Sequence, residues 1–230
     1  MTFSAAAPAH ARLPIVILIS GRGSNMQAIA ERAARGDLPV EVRAVISDKE
    51  EAPGLAIAAG LGIPTATLSP KRFANRELYD GALADLVASY SPQLVVLAGF
   101  MRILSANFIQ SFAGRILNIH PSLLPKYRGL HTHRRALEAG DLLHGVSVHL
   151  VTQELDGGPV IMQASVPVLP NDTEQSLSAR VQRQEHRIYP QVIEWIALGH
   201  LRCSADGLWL DDEALQAPIA IESGAIESGE

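Results

Sequence analysis

The sequence predicts an α/β fold with a mostly parallel, twisted β-sheet and helices on both of its faces. Short apolar runs, such as IVILI at 15–19, recur along the first half of the chain and are typical of strands buried on both faces. Segments with apolar residues at helical spacing separate these runs. Strands that alternate with helices in this way form parallel sheets with right-handed crossovers.

The elements of the first half follow one another through short connections. The strand at 15–19 runs into a turn, after which Ser24 is predicted to be a helix N-cap, with Gln27 as its capping-box partner and Gly36 as the helix end. Next come a strand at 40–47, a short helix at 54–60, a strand at 65–68, a helix at 75–90 and a strand at 94–98.

The second half is predicted to add antiparallel strands to this sheet. Its elements are a strand at 115–119, a helix at 132–139, strands at 146–151 and 159–166, a long helix at 174–198, and a terminal hairpin from 200–204 and 207–212. We expect one folded domain over 13–212. A flexible tail at 1–12 would precede it, and an acidic disordered tail at 213–230 would follow it.

The charge of the chain is unevenly distributed. A net charge of −5, from 19 Lys and Arg against 24 Asp and Glu, argues against a general nucleic-acid or anionic-membrane binder. Residues 211–230 carry six acids and no Lys or Arg, so the first 210 residues hold 19 basic and 18 acidic residues. We therefore expect a nearly neutral folded body, which can accommodate anionic ligands.

Cysteine content and hydropathy predict a cytoplasmic protein. Cys203 is the single cysteine, so an intrachain disulfide and a cysteine-based zinc site are excluded. No apolar run approaches the roughly 18 residues that a membrane-spanning helix needs. The N-terminus, MTFSAAAPAHAR, has no apolar core that would serve as a secretory signal.

A glycine-containing turn, SGRGSN at 20–25, joins the first strand to the first helix. Glycines let the backbone approach an anion closely, and the free amides of the following helix point to the same place. The pattern predicts a phosphate-binding turn, although an ordinary tight turn has the same composition. A dinucleotide cofactor is a weaker alternative: Asp48 stands where a ribose-binding acid would, but Met26 occupies the third glycine position of that fingerprint.

Asn118 and His120 are candidate catalytic residues because they end a predicted strand, at the edge where open α/β sheets bind ligands. Residues two apart on a strand share a face, so an amide donor lies beside an imidazole, which suits the stabilisation of an oxyanion. Asp156, in the loop LDGG, could orient and charge that imidazole. From its position alone, a plain turn aspartate is the simpler interpretation.

The histidines raise the question of a metal site, since five of the eight lie between residues 120 and 149. His131 and His133 could chelate zinc, but no third ligand stands in register, and we expect no metal. His149 alternates with apolar neighbours on a predicted strand. We interpret it as a packed strand histidine.

Taken together, the motifs resemble the folate-dependent glycinamide ribonucleotide formyltransferases of purine biosynthesis. The matching segments cover about residues 13–212 and are VILISGRGSNMQAI, LVVLAGFMRILS, LNIHPSLLPKYRGLHTHRRALEAGD, HGVSVHLVTQELDGGPVI and ARVQRQEHRIYP. The resemblance implies the Rossmann-like formyltransferase fold. It also implies transfer of a formyl group from 10-formyltetrahydrofolate to the amine of N1-(5-phospho-D-ribosyl)glycinamide, which gives formylglycinamide ribonucleotide and tetrahydrofolate.

The resemblance also implies site residues. Asn118, His120 and Asp156 match the catalytic residues. The ribonucleotide is expected at Gly23, Ser24, Asn25, Gln182, Arg183, Gln184 and Glu185. The folate is expected at Arg76, Met101, Arg102, Ile103, Leu104, Asn118, Thr152, Gln153, Glu154, Leu155 and Asp156. Arg128 departs from the family pattern, in which proline commonly follows KY, so the loop loses a rigid φ and gains a charge.

The expected mechanism is a direct transfer without a covalent enzyme intermediate, because Ser122 in the motif has no evident base paired with it. Asn118 and protonated His120 would stabilise a tetrahedral intermediate, with Asp156 orienting and charging His120. The expected partners are two anionic small molecules, with no nucleic acid and no membrane. The expected state is a monomer or homodimer.

Four rival functions stay open on the sequence. Two use the same co-substrate: a methionyl-tRNA formyltransferase, which usually carries an extra C-terminal domain, and a formyltetrahydrofolate hydrolase, which usually carries an extra N-terminal domain. The third is a nicotinamide-dependent oxidoreductase. The fourth is a nucleotide-binding module that binds the ribonucleotide without formyl transfer.

Overall fold

A computed structural model describes residues 12–204 and 207–222 of the chain. Strands and helices alternate through most of this length. The strands are β1 (Leu13–Ile19), β2 (Val40–Ser47), β3 (Thr65–Thr67), β4 (Leu94–Leu97), β5 (Ile116–His120), β6 (Leu143–Leu150), β7 (Val160–Pro167), β8 (Leu201–Ser204), β9 (Gly207–Leu210), β10 (Glu213–Ala214) and β11 (Ile219–Glu222). The helices are α1 (Ser24–Arg35), α2 (Pro53–Gly60), α3 (Arg76–Ser89), α4 (Ala106–Ser111), α5 (Thr132–Glu138) and α6 (Glu174–Ala197).

Eight of these strands form one sheet in the order β11-β7-β6-β5-β4-β1-β2-β3. The strands β1 to β5 are parallel, β6 is antiparallel to both β5 and β7, and β11 pairs in parallel with β7. The predicted α/β fold with antiparallel C-terminal additions is therefore confirmed. The strand order reverses between β1 and β4, which is where open α/β sheets form a ligand-binding crevice.

The core occupies both faces of this sheet. Successive residues of β1 point to opposite faces: Ile15, Ile17 and Ile19 join the cluster under α1, α2 and α6, whereas Val16 and Leu18 join the cluster under α3 and α4. This two-sided burial explains why the strand reads as a continuous apolar run rather than an alternating one.

Helix α6 is fixed across the sheet by one buried tyrosine. The Tyr189 hydroxyl lies 2.9 Å from the carbonyl oxygens of both Leu97 and Leu117, which belong to the adjacent strands β4 and β5. Burial raises the pKa of this hydroxyl well above its usual value, so it stays a donor. Because Leu117 precedes Asn118, this contact holds the helix beside the end of β5.

Two local features differ from what the sequence predicts. The N-cap of α1 is Gly23, with φ at 72°, and the helix has no side-chain cap, so the predicted Ser24 and Gln27 capping box is absent. The short helix α4 was not predicted, because its six residues are too few to show a helical apolar pattern. Gly36 does end α1, and the terminal hairpin forms from β8 and β9.

The acidic tail predicted at 213–230 is wrong for its first ten residues. β10 pairs with β9, and β11 pairs with the outer edge of β7. Ile219 and Ile221 pack against the core beside α6, so their apolar contacts outweigh the acidic composition that suggested disorder. Residues 1–11 and 223–230, which include most of the N-terminal tail and the rest of the C-terminal tail, lie outside the described residues. No helix in the described part is both long and apolar enough to cross a membrane.

Candidate active site

Asn118 and His120 lie on β5 with their side chains on the same face, as the spacing predicts, and both line one cavity. The antiparallel register places His149 of β6 opposite Asn118. The Asn118 Nδ2 atom donates to His149 Nε2 at 3.1 Å. His149 is therefore a neighbour of the candidate catalytic amide. The sequence did not predict this contact, because the register of an antiparallel pair cannot be read from either strand alone.

The proton positions on His149 follow from its partners. Its Nδ1 atom lies 2.9 Å from the Leu150 carbonyl oxygen, which can only accept, so Nδ1 carries the hydrogen. Burial lowers the pKa of His149, which keeps the ring neutral. Nε2 is then an acceptor, and it fixes the Asn118 side chain with its nitrogen as donor.

Asp156 reaches the same place from the loop between β6 and β7. Its Oδ2 atom lies 3.4 Å from His120 Nδ1, and its Oδ1 atom lies 3.7 Å from His149 Nε2. The Asp156 backbone has φ at 47°, in the left-handed region that few non-glycine residues adopt. Aspartate tolerates this conformation in turns, so the sign of a role beyond the turn is the carboxylate itself, whose side chain is 9% exposed and faces both histidines.

Gly158, the second of the two glycines after Asp156, packs directly against β6. A Cβ atom at this position would lie 1.9 Å from the Leu150 carbonyl oxygen, so no larger residue fits. Leu150 also accepts the hydrogen bond from His149, so this close approach and the histidine orientation depend on the same peptide.

Residues 126–130, which we call the cover segment, lie over the catalytic residues. The Tyr127 carbonyl oxygen accepts from His120 Nε2 at 2.9 Å, and the Gly129 amide donates to Asp156 Oδ2 at 2.8 Å. Asp141 fixes the start of the segment, because it accepts from both Lys126 Nζ and the Tyr127 hydroxyl. The segment therefore contacts both members of the His120 and Asp156 pair.

Arg128 ties the cover segment to the loop that carries Asp156, because its Nη1 atom forms an ion pair with Glu154. Both side chains are exposed. The Arg128 carbonyl oxygen also accepts from Arg135 Nη1 at 2.7 Å. The residue that departs from the family pattern thus replaces the rigidity of proline with a contact between two loops.

The cavity beside these residues has a volume of about 500 Å³, within the range of small-molecule sites. It is lined mainly by the stretches 99–104, 118–121, 129–133 and 151–156, together with His149. Met101 and Ile103 are exposed at 65% and 58%, which provides apolar surface for a planar ring. The segments expected to bind folate, 101–104 and 152–156, therefore line the same cavity as Asn118 and His120.

The glycine-containing turn lies next to this cavity. The Ser20 amide donates to the Gly99 carbonyl oxygen at 3.1 Å, and the Met101 amide donates to Ser20 Oγ at 2.9 Å. Ser20 thus joins the end of β1 to the end of β4, at the reversal of strand order. Two ligands, one at the turn and one in the cavity, would be neighbours.

Gly23 makes the turn possible. Its φ of 72° is unfavourable for residues with a side chain, and a Cβ atom there would lie 3.2 Å from the Gly54 Cα atom of α2. The helix α1 begins at the next residue, so its free amides face the turn without a side-chain cap. This geometry provides an anion site of the kind predicted from the sequence.

Helix α6 supports the turn through two side chains one helical turn apart. Gln182 Nε2 donates to Ser24 Oγ at 2.9 Å, and Asn25 Nδ2 donates to Glu185 Oε2 at 2.7 Å. Burial raises the pKa of Glu185, and the Asn25 hydrogen bond opposes that rise. Residues three apart on a helix share a face, which explains why these two positions meet the turn.

Three residues expected at the ligand sites have other surroundings in this structure, and their ligand contacts stay predictions. Arg183 is exposed, and the Gln184 side chain accepts from Arg187 Nη1 at 3.0 Å. Arg76 does not line the cavity; its Nη2 atom donates to the Leu104 carbonyl oxygen at 2.7 Å.

The residues behind the dinucleotide and metal alternatives have the following surroundings. Asp48 is buried near Tyr79. The pKa of the Tyr79 hydroxyl is raised above its usual range, first by the burial of Tyr79 and then by the charge of Asp48. His133 Nδ1 lies 3.1 Å from His144 Nε2, and burial lowers the pKa of both rings. Among the described residues, no three His, Cys, Asp or Glu side chains are grouped closely enough to hold a metal ion.

Comparison with known proteins gives consistent matches. The formyl transferase family model matches residues 13–193. The phosphoribosylglycinamide formyltransferase of Escherichia coli (strain K12) is 57% identical over 201 residues, which are 87% of this chain and 95% of that protein. The human trifunctional purine biosynthetic protein adenosine-3 is 40% identical over 201 residues, which are 86% of this chain and 20% of that protein.

Solved structures agree with these matches. The phosphoribosylglycinamide formyltransferase of Coxiella burnetii superposes with a TM-score of 0.87 at 47% identity, covering 91% of this chain and 99% of that chain. The glycinamide ribonucleotide transformylase 1 of Symbiobacterium toebii has a TM-score of 0.85 at 40% identity, covering 91% of this chain and 98% of that chain.

Proposed function

The chain belongs to the formyl transferase family, and from this premise we propose how its residues perform the reaction. Its activity is formyl transfer to glycinamide ribonucleotide in purine biosynthesis, with a folate co-substrate. The finer proposal concerns the identity of the co-substrate, 10-formyltetrahydrofolate, the positions of the two substrates and the roles of Asn118, His120 and Asp156. A cytoplasmic location, a monomeric or homodimeric state and the absence of a metal stay predictions.

In this proposal the ribonucleotide phosphate binds at the turn formed by Gly23, Ser24 and Asn25, and the folate occupies the adjoining cavity. The Ser20 contacts support this placement, because they bring the turn and the cavity wall together. Glu185 would face the glycinamide part of the ribonucleotide from α6. The nearly balanced charge of the first 210 residues suits two anionic substrates better than the total of −5 suggests.

The chemical step is a direct transfer. The glycinamide amine attacks the formyl carbon, a carbon–nitrogen bond forms, and the carbonyl electron pair moves to the oxygen. The oxyanion then collapses and the bond to the folate nitrogen breaks. The attacking amine loses its proton and the departing nitrogen gains one, through water or a nearby group. No covalent bond to the protein is required.

Asn118 and His120 would stabilise the oxyanion. The second hydrogen of the Asn118 amide is free to donate, because His149 accepts only one. His120 lies between two acceptors, the Asp156 carboxylate and the Tyr127 carbonyl, and it donates to both only as an imidazolium. When substrate binds, the cover segment would shift so that Nε2–H turns from Tyr127 to the oxyanion.

The observation that carries the proposal is the convergence of Asn118, His120 and Asp156 on the cavity beside the glycine-containing turn. The test combines 10-formyltetrahydrofolate with glycinamide ribonucleotide and measures tetrahydrofolate release with and without the ribonucleotide. Release that depends on the ribonucleotide supports formyl transfer. Equal release without it would indicate a hydrolase, and ribonucleotide binding with no release would indicate a non-catalytic module.

A further inference from the structure

The cavity wall at residues 101–104, which we call the wall segment, has no regular secondary structure, yet its backbone is held at both ends. The Met101 amide donates to Ser20 Oγ at its start. At its end, the Leu104 carbonyl oxygen accepts from Arg76 Nη2, and the Ser105 amide donates to Asp80 Oδ2 at 2.6 Å. Two of these contacts come from side chains of α3, a helix outside the cavity.

Three residues of α3 contact successive parts of this loop. Arg76 and Asp80 hold its end, and the Arg102 guanidinium carbon lies 4.7 Å from the centre of the Tyr79 ring. These residues occupy positions three and four apart, so they form one face of the first turns of the helix. The helix therefore supports the shape of the wall segment, although it does not line the cavity.

Capping of helix α4 does not explain why Asp80 is buried. Its side chain is 1% exposed, Arg76 Nε lies 3.7 Å from Oδ2, and Oδ1 has no hydrogen-bond partner among the described residues. Burying a carboxylate with incomplete pairing costs free energy. The N-terminus of α4 is already capped by the Ser105 hydroxyl, which accepts from Phe108. The Asp80 carboxylate instead fixes the peptide between Leu104 and Ser105.

We propose that Asp80 is a positioning residue for the folate co-substrate: through the Ser105 amide and Arg76, it holds the wall segment in its binding conformation. This inference rests on the proposed function, which places the folate ring against the wall segment. It also changes the role of Arg76, which supports the Leu104 carbonyl from behind the wall. The Met101 amide and Leu104 carbonyl are engaged by the protein, and the peptide groups between them face the co-substrate.

The test compares the variants Asp80→Asn and Asp80→Ala with the control Asp85→Asn, which changes an exposed carboxylate on the same helix. Asp80→Ala should raise the KM for 10-formyltetrahydrofolate about tenfold, because an acceptor of the Ser105 amide and the charge beside Arg76 are both lost. Asp80→Asn retains an acceptor and should give a smaller rise. The ribonucleotide KM and the kcat should stay within about threefold of wild type.

A double variant separates positioning from a general loss of stability. Arg76→Met should also raise the folate KM, and its combination with Asp80→Asn should raise it by less than the product of the two single effects, because both act on one peptide. Equal rises in the KM values of both substrates would overturn the inference. An unchanged folate KM in both Asp80 variants would also overturn it.

A further variant separates this inference from the proposed function. Ile103→Asp places a charge on the cavity side of the wall segment and should raise the folate KM on its own. If it does so while the Asp80 variants have no effect, the inference fails and the proposed function stands. If Ile103→Asp leaves the folate KM unchanged, the folate does not lie against the wall segment and both fail.

Discussion

The glycine-containing turn and the catalytic group are neighbours, but they are built from different kinds of contact. Gly23, Ser24 and Asn25 are consecutive, and the turn depends on one glycine with a positive φ and on the start of a helix. The catalytic group gathers Asn118, His120, Asp156 and His149 from two antiparallel strands and a loop. A site built from consecutive residues has a local sequence signature, whereas a site gathered from distant segments is defined by strand register and loop contacts.

The difference extends to how each site is held in place. The turn is held by α1 and α6, which are long regular elements. The catalytic pair is covered by residues 126–130, where Tyr127 and Gly129 both have positive φ values. The ion pairs of this cover segment, from Lys126 and Arg128, are exposed and therefore weaker than packing in a core. We therefore expect changes in the turn to affect substrate affinity and changes in the catalytic group to affect turnover.

The largest effect is expected for His120→Ala. Loss of an oxyanion donor should lower kcat on the order of 100-fold or more, with smaller changes in both KM values. Steady-state kinetics on both substrates measure this, and His200→Ala, a change of an exposed histidine, is the control. Near-normal turnover in His120→Ala, or in Asn118→Ala, would contradict the catalytic assignment.

The variant His149→Phe tests whether His149 belongs to the catalytic group together with Asn118, His120 and Asp156. It removes the acceptor that orients the Asn118 amide, so kcat should fall roughly tenfold while the ribonucleotide KM changes little. The pKa of His149 is lowered by burial, so protonation below about pH 6.5 opposes folding of the wild type. The Tm of the variant should therefore fall less steeply with decreasing pH. An unchanged kcat would limit the role of His149 to packing.

The variant Ser24→Ala tests the local site. It should raise the ribonucleotide KM roughly tenfold and leave the folate KM nearly unchanged, because the hydroxyl lies at the turn and away from the cavity. Ser89→Ala, at an exposed helix end, is the control. Equal changes in the KM values of both substrates would contradict the placement of the ribonucleotide, and Glu185→Ala should show the same preference for the ribonucleotide.

The variant Arg128→Ala examines the contact between the two loops. An exposed ion pair contributes about 0–1 kcal/mol, so the folate KM should rise no more than about fivefold at low salt. Because salt screens this pair, the difference between variant and wild type should shrink as ionic strength increases. A salt-independent loss of kcat would instead mean that Arg128 acts on the chemical step.

The smallest effect on activity is expected from removal of residues 216–230. None of the described residues of this segment, 216–222, lines the cavity, so turnover should stay nearly unchanged. The deletion removes β11 and the apolar contacts of Ile219 and Ile221, so the Tm should fall by roughly 2–4 °C for each kcal/mol of lost burial. A large loss of turnover with an unchanged Tm would show that the tail contributes to the active site.

The sequence by itself determined the order of the strands and helices from β1 to β9 apart from α4, the glycine-containing turn and the position of Asn118 and His120 on one face. These features depend on neighbours within a few residues, so apolar spacing and turn chemistry are sufficient to predict them. The resemblance added Asp156 and the folate segments. It also implied ligand contacts for Arg183 and Gln184, which stay predictions, and for Arg76, which does not line the cavity.

Only the tertiary structure decided which distant residues meet. The contact between Asn118 and His149 depends on the register of β5 and β6, and the support of the wall segment by Asp80 depends on how α3 packs. Likewise, β11 becomes a strand because β7 offers it an unpaired edge and the core covers Ile219 and Ile221. In each case the deciding free energy comes from burial and hydrogen bonding between segments far apart in sequence, which no local pattern records.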